Sequence, residues 1–278
     1  GKDDFVVVYP SSDGGNGSAA IYYGISNSPS TTVRSSIPGG ALGSGIAIGD
    51  LDDDGRDDLI LLDTSGAPYV LWGRVAFSAE YTFGTNDRFM DRSMWGLHAF
   101  DADGDGYDDL YYIGNGKLMA IPSPVRDISI PVVVPGFEKV SDICPMDVDS
   151  DGAIEIAIAS KNGSVEDLTI AETLSGQVVF RNTYGFRFRI MGGYDLNNDG
   201  CDDPVLHTSS GSSFGTLLIL SGAVLSGRDN GTPQWTIAGS ASYHLNDPVS
   251  AGASDIDGDL AKDLVIGKPD ANADKGEI

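Results

Sequence analysis

Cysteine, basic side chains and long apolar runs are all scarce in this chain, and each shortage removes a class of protein. Its 278 residues hold two cysteines, Cys144 and Cys201, with no CxxC pair. That rules against a disulfide framework and against the usual cysteine metal or redox motifs. A buried thiol is the expected state of an isolated cysteine. Lys and Arg number 17 against 41 Asp and Glu, a formal net charge of -24 at pH 7. Nucleic acid and anionic membrane surfaces both need clustered cations, so neither is expected as a partner. No apolar stretch reaches the roughly 18 residues of a membrane span, and the first residues carry no signal-peptide pattern, so no membrane insertion by this segment is expected. Uninterrupted helical periodicity is missing as well, because 37 Gly and 13 Pro punctuate the chain and leave long helices little room. The apolar runs Phe5-Val6-Val7-Val8-Tyr9 and Leu59-Ile60-Leu61-Leu62 are of a kind that disordered acidic chains lack. An all-β fold is expected.

The acid is placed rather than spread. One pattern recurs five times: an apolar strand, D-x-D/N-x-D, a short turn, an acid, then another apolar strand. The loops begin at Asp50, Asp101, Asp147, Asp195 and Asp255, at intervals of roughly 50 residues, the size of one four-stranded propeller blade. A sixth copy is cut in half, since Gly1-Lys2-Asp3-Asp4-Phe5 matches the last part of a loop. Leu264-Val265-Ile266-Gly267-Lys268-Pro269 and Gly276-Glu277-Ile278 read as a strand and the opening of another. The expectation is a single β-propeller domain over 1–278, truncated within a blade at both ends, with five to six blades represented. A second theme runs between the loops, a β-run ending in Gly: Ser18 to Gly24, Gly66 to Gly73, and Gly215 to Gly222. With an outer segment such as Gln234-Trp235-Thr236-Ile237, each repeat offers four strands.

Calcium is a hard cation that takes six to eight oxygens at roughly 2.3–2.6 Å, and carboxylates alternating along a turn supply them. In the first loop the expected ligands are Asp50, Asp52, Asp54, the carbonyl of Arg56, and Asp58 as the closing acid at position nine. Gly55 at position six suits a left-handed reversal. An EF-hand would need Glu at position twelve and helical flanks; here position twelve is Leu61, Tyr112, Ile158, Leu206 or Ile266. Acidic β-turns alone do not explain five aligned copies, because several carboxylates packed together without a cation repel one another. More than half of the 41 acidic residues lie in these loops.

On these D-x-D-x-D-G-x-x-D-L loops, together with Trp72-Gly73 and Gly267-Lys268-Pro269, the chain resembles the FG-GAP repeats of integrin α subunits and their bacterial relatives. The resemblance implies a seven-bladed wheel in a complete protein, with calcium held between the first and second strands of a blade, four to five ions here. It assigns metal positions to Asp101, Asp103, Asp105, Tyr107 and Asp109, and to Asp147, Asp149, Asp151, Ala153 and Glu155. In the two looser copies the matching positions are Asp195, Asn197, Asp199, Cys201 and Asp203, and Asp255, Asp257, Asp259, Ala261 and Asp263. Departures are Asn197 for a carboxylate, Pro204 after a closing acid, and Leu260 where Gly is expected, a substitution expected to strain the fifth loop.

His98, His207 and His244 sit in no nucleophile or zinc pattern, and the paired acids Asp57-Asp58 and Asp108-Asp109 belong to the repeats rather than to a glycosidase. No enzyme is therefore expected. Trp72, Trp95, Trp235, Tyr22, Tyr23, Tyr111 and Tyr112 suit either the wedge between blades or stacking on sugars at a rim. The expected function is a secreted or cell-surface calcium-binding adhesion module with a protein ligand. The alternative is a glycan-binding propeller, or the non-catalytic part of a polysaccharide lyase or phospholipase.

Overall fold

A computed structural model describes residues 4–24, 26–74, 78–84, 87–89, 93–124, 131–173, 175–209, 215–225, 234–240, 245, 250–259 and 261–267. Leu260, His244, residues 1–3 and the 268–278 tail, each used in the sequence reading, lie outside the described residues. The chain is all-β and divides into two compact units, one of residues 1–101 and 105–133, the other of residues 102–104 and 134–278. Among the described residues no helix is long and apolar enough to cross a membrane.

In the first unit β1 (Phe5–Tyr9), β2 (Ser18–Tyr22) and β3 (Thr31–Ser35) form an antiparallel meander, followed by a second of β4 (Gly45–Gly49), β5 (Asp58–Leu62) and β6 (Pro68–Leu71). The four-strand expectation fails at this second sheet. Its outer strand, β7 (Glu80–Phe83), pairs in parallel with β3 instead, with Thr32 opposite Glu80 and Ser35 opposite Phe83. The sheet order is β1-β2-β3-β7, beside a three-stranded β4-β5-β6. Next come β8 (Trp95–Phe100), β9 (Asp109–Gly114), β10 (Lys117–Ile121) and β11 (Val132–Glu138), a four-stranded sheet in chain order, with the division between the units falling inside β11.

The second unit repeats the plan. One antiparallel sheet holds β12 (Val140–Met146), β13 (Glu155–Asn162), β14 (Val165–Glu172) and β15 (Val178–Tyr184). Another holds β16 (Arg189–Tyr194), β17 (Asp203–Thr208), β18 (Thr216–Ile219) and β19 (Trp235–Ala238), and β20 (Ser250–Ser254) pairs with β21 (Asp263–Gly267). A single helical turn, α1 (Gly222–Leu225), follows β18.

Burial explains the apolar runs in the strands that follow the first two loops. Every residue of β5, β9 and β17 is buried, the pattern of a strand covered on both faces. Alternate residues of β5 feed different clusters: Leu59 and Leu61 pack with Tyr69 and Phe83, whereas Ile60 and Leu62 pack with Val70, Met94 and Tyr112. This is the two-residue period of a strand serving two layers. In the second unit Ala157, Ala159, Leu168 and Ile170 meet Leu206 and Leu218, while Val205, Leu217 and Ile219 meet Leu264 and Ile266. The outer strand β11 is mostly exposed and β15 partly so. The aromatics split between the two expected roles: Tyr111 and Tyr112 are fully buried, while Trp95 and Trp235 stand exposed.

Leu168 lies at zero exposure in the second unit's main cluster. Leu168→Ala is expected to cost about 2–5 kcal/mol, read as a lowered urea midpoint with an unchanged slope.

Candidate metal centres

Each acidic loop joins two strands of a sheet and is wound by its own side chains. The position-one carboxylate is the hub. Asp50 accepts from the backbone N–H groups of Asp53, Asp54 and Gly55 at 3.0, 3.2 and 2.8 Å. Asp147 accepts from Ser150 and Gly152, Asp195 from Asp199 and Gly200, Asp101 from Gly106, and Asp255 from Gly258. Position five repeats the device one step on: Asp105, Asp151, Asp199 and Asp259 each accept from the N–H two residues later, of Tyr107, Ala153, Cys201 and Ala261. Such Asx turns reverse the chain tightly while gathering carboxylates on the inside.

The reversal needs two left-handed residues, of which the sequence suggested one. Position six is left-handed at Gly55, Gly106, Gly152 and Gly200. Position four is left-handed in all five loops, at Asp53, Gly104, Ser150, Asn198 and Gly258. Non-glycine residues at position four are mostly Asp and Asn, which tolerate this region.

The position-nine acid turned out to be the most informative. Asp58, Asp109, Glu155 and Asp203 are at most 1% exposed. Asp58 accepts from Leu51 N–H with one oxygen (3.1 Å) and from Gly73 N–H with the other (2.6 Å). Asp203 does the same with Leu196 and Gly222, at 3.1 and 3.0 Å. Glu155 holds Val148, Asp263 holds Ile256, and Asp109 holds Ser123. Asp4, in the half-copy at the start, accepts from Gly24 N–H at 2.8 Å. The carboxylate thus ties its loop to the turn after the following strand, which explains the β-run ending in Gly. A Cβ on Gly73 would meet the Asp57 carbonyl at 2.7 Å, too close for any other residue to fit unchanged.

Position eight has a different partner. Asp108 accepts from Asp50 N–H at 3.0 Å and returns its own N–H to the Asp50 carbonyl at 3.1 Å. Asp202 makes the same reciprocal pair with Asp147, at 3.1 and 2.7 Å. The first loop is therefore clasped to the second, and the third to the fourth, through the position-eight acid. A Cβ on Gly49 would come 2.5 Å from the Asp108 carboxylate, so the residue before the first loop makes room for this clasp.

Four loops bring three carboxylate oxygens within 4.8 Å of one another: Asp50, Asp52 and Asp58; Asp101, Asp103 and Asp105; Asp147, Asp149 and Glu155; Asp255, Asp257 and Asp259. Asp54, Asp109, Asp151 and Asp263 are not in those triplets, and Asp54 instead faces the Arg56 guanidinium at 3.1 Å, an exposed pair. No triplet forms among the described residues of the fourth loop, where Asn197 stands beside Asp195, Asp199 and Asp203. An all-oxygen, hard, anionic donor set of this kind fits calcium and gives a soft metal nothing. The Cys201 thiol is buried, and burial pushes it up to about 11; both cysteines are free. Burial also pushes Asp58 up to about 6 and Glu155 up to about 7, against the pull of the Leu51, Gly73 and Val148 amides.

Residues 50–112, spanning the first two loops, match the FG-GAP-like repeat family. The chain carries an FG-GAP-like repeat. No curated protein matches the sequence. Among solved structures, similarity extends to the biofilm matrix protein Bap1 of V. cholerae, at 14% identity over 87% of this chain and 40% of that one, TM-score 0.44. It extends also to an Agrocybe aegerita lectin that recognises non-reducing terminal N-acetylglucosamine, at 12% identity over 84% and 65%, TM-score 0.47. A Bacillus licheniformis rhamnogalacturonan lyase matches at 15% identity over 90% and 48%, TM-score 0.37. The chain thus spans less than two thirds of each of these structures.

Two outcomes follow for the FG-GAP-like loops. Asp108→Ala leaves the Asp50 N–H without its acceptor and is expected to cost about 1–3 kcal/mol, whereas Asp108→Asn, which keeps an oxygen, should recover most of it in chemical denaturation. In the metal-free protein, Asp58 and Glu155 favour their protonated forms more when folded than when unfolded, where they titrate near 3.8 and 4.5. Their contribution to stability is then full at acidic pH and lost as pH rises towards about 6 and 7, as linkage requires. The melting temperature of chelated protein should fall between pH 4.5 and 7.5, and excess calcium should remove or reverse the fall.

Proposed function

We propose that the chain is a calcium-stabilised segment of an integrin-α-like β-propeller, acting outside the cell as a non-catalytic binding module. One observation carries this reading: the same loop, with the same hub and closing acid, recurs along the chain at the same place in successive sheets, and four of its copies gather three carboxylates. Calcium would be held by the position-one, -three and -five side chains, the position-seven carbonyl and the position-nine acid. It would neutralise carboxylates that otherwise repel, and so stiffen each hairpin. The four-stranded sheets support blades, and the FG-GAP-like match supports their arrangement in a wheel, seven blades in a complete protein. Adhesion to a protein ligand is the expected use of such a rigid support. His98 lies on β8, and His207 is buried with its ring nitrogen donating to the Leu245 carbonyl at 2.7 Å.

Glycan binding is the second reading, and a polar cleft in the second unit favours it. Calcium titration by calorimetry after exhaustive chelation decides the main reading: four or five sites are expected, with dissociation constants of about 10⁻⁴–10⁻³ M as in extracellular modules. A stoichiometry of one or none would overturn it.

A further inference from the structure

A cleft of about 640 Å³ opens in the second unit where the early residues of β12, β14 and β16 meet the late residues of β13 and β17, lined by Ser141, Asp142, Lys161, Glu166, Arg187 and Arg189 among others. It lies at the far end of the strands from the acidic loops. Asp142 precedes Asp147 by five strand residues, roughly 16 Å of extended chain. The volume lies within the ~300–1,000 Å³ of small-molecule sites, well beyond what an inorganic anion fills.

The polar lining divides by what already engages it. Asp142 accepts from the Ile190 and Ile143 N–H groups at 2.9 and 3.1 Å. Glu166, 2% exposed, accepts from the Ser141 hydroxyl at 2.6 Å and from Phe188 N–H at 2.7 Å. These two acids hold β16 against β12 and β14 and line the cleft, and a carboxylate oxygen can accept more than one hydrogen bond. The cations are placed differently. Lys161 and Arg187 are exposed, and among the described residues neither forms an ion pair. Arg189 stands near enough to Asp142 to draw on its charge. In a chain of net charge -24 with only 17 Lys and Arg, three cations bordering one cleft make a local attraction for an anion that the rest of the surface repels.

We propose that this cleft binds a sugar acid, with its carboxylate on Lys161 and Arg187 and its hydroxyls on Asp142 and Glu166. Guanidinium matches carboxylate in a planar fork, and a cleft offering cations and carboxylate acceptors together suits a ligand that brings one anionic group and many hydroxyl donors. A peptide carboxylate brings the first and few of the second. The proposal rests on the glycan-binding reading and is independent of the calcium count.

The test is calorimetric titration of the calcium-saturated protein, in fixed excess calcium chloride, with D-galacturonate and D-glucuronate. D-galactose, sodium sulfate and N-acetylaspartate amide serve as comparisons. At least one uronate should bind about tenfold or more tightly than all three comparisons, and binding should weaken as salt is raised. The double variant Lys161→Gln/Arg187→Gln, altered only at exposed side chains, should lose about tenfold or more of that affinity while keeping the parent's calcium stoichiometry and melting temperature. Equal binding of galactose shows recognition without charge, equal binding of sulfate shows an anion site without sugar selectivity, and tighter binding of N-acetylaspartate amide shows a peptide site. Any of these, like uronate binding unchanged in the double variant or no uronate binding at all, overturns the proposal. A failure here with calcium stoichiometry intact leaves the calcium reading standing.

Discussion

A buried carboxylate at the ninth loop position is the constraint on which the rest of this structure depends. It sits where the chain leaves each loop and enters the most buried strand of its sheet. From there one oxygen reaches back to the second loop residue, and in Asp58 and Asp203 the other reaches forward to the turn after the next strand. A group at most 1% exposed in four loops is costly to keep charged without partners, and the backbone amides arranged around it supply them. The loop, the two strands beside it and the following turn are therefore fixed together by one side chain. The hub acid at position one shapes only the loop itself.

Much of this was legible from sequence, and for physical reasons. The loop pattern is local: alternating acids, a Gly and flanking apolar runs are read within ten residues, so Asp50 to Asp58 and its copies could be found without knowing the fold. The burial of β5 and β9 was implied by the apolar runs of residues 59–62 and 110–113, whereas that of β17, which carries His207 and Thr208, was not. What escaped were relations between segments distant along the chain. The roles of Asp108 and Asp202 could not be read from sequence because their partners, Asp50 and Asp147, lie one repeat earlier. The glycines at 24, 73 and 222 formed a visible theme, but their amides' shared target could be seen only once the strands were folded side by side. The strand-per-repeat count failed at β7 because hydrogen-bond partners of an outer strand are chosen by space and not by sequence order.

The two ends of the strands in the second unit have different chemistry. One end gathers carboxylates into tight turns wound by hydrogen bonds from the loop amides. The other uses its buried acids, Asp142 and Glu166, as struts and leaves Lys161 and Arg187 at the surface. In a strongly acidic chain this separation keeps cations away from the loops, where Arg56 pairs instead with Asp54.

The parallel seat of β7 on β3 has a consequence for how the repeats came to be joined. Because Glu80–Phe83 belongs by sequence to one repeat and by hydrogen bonding to the one before, neighbouring repeats interlock like overlapped roof tiles. Cutting the gene at the sequence period would strip a strand from the preceding sheet and expose β3 as a bare edge, inviting foreign strands to add there. The sequence period and the hydrogen-bonded sheet are thus out of phase at this point.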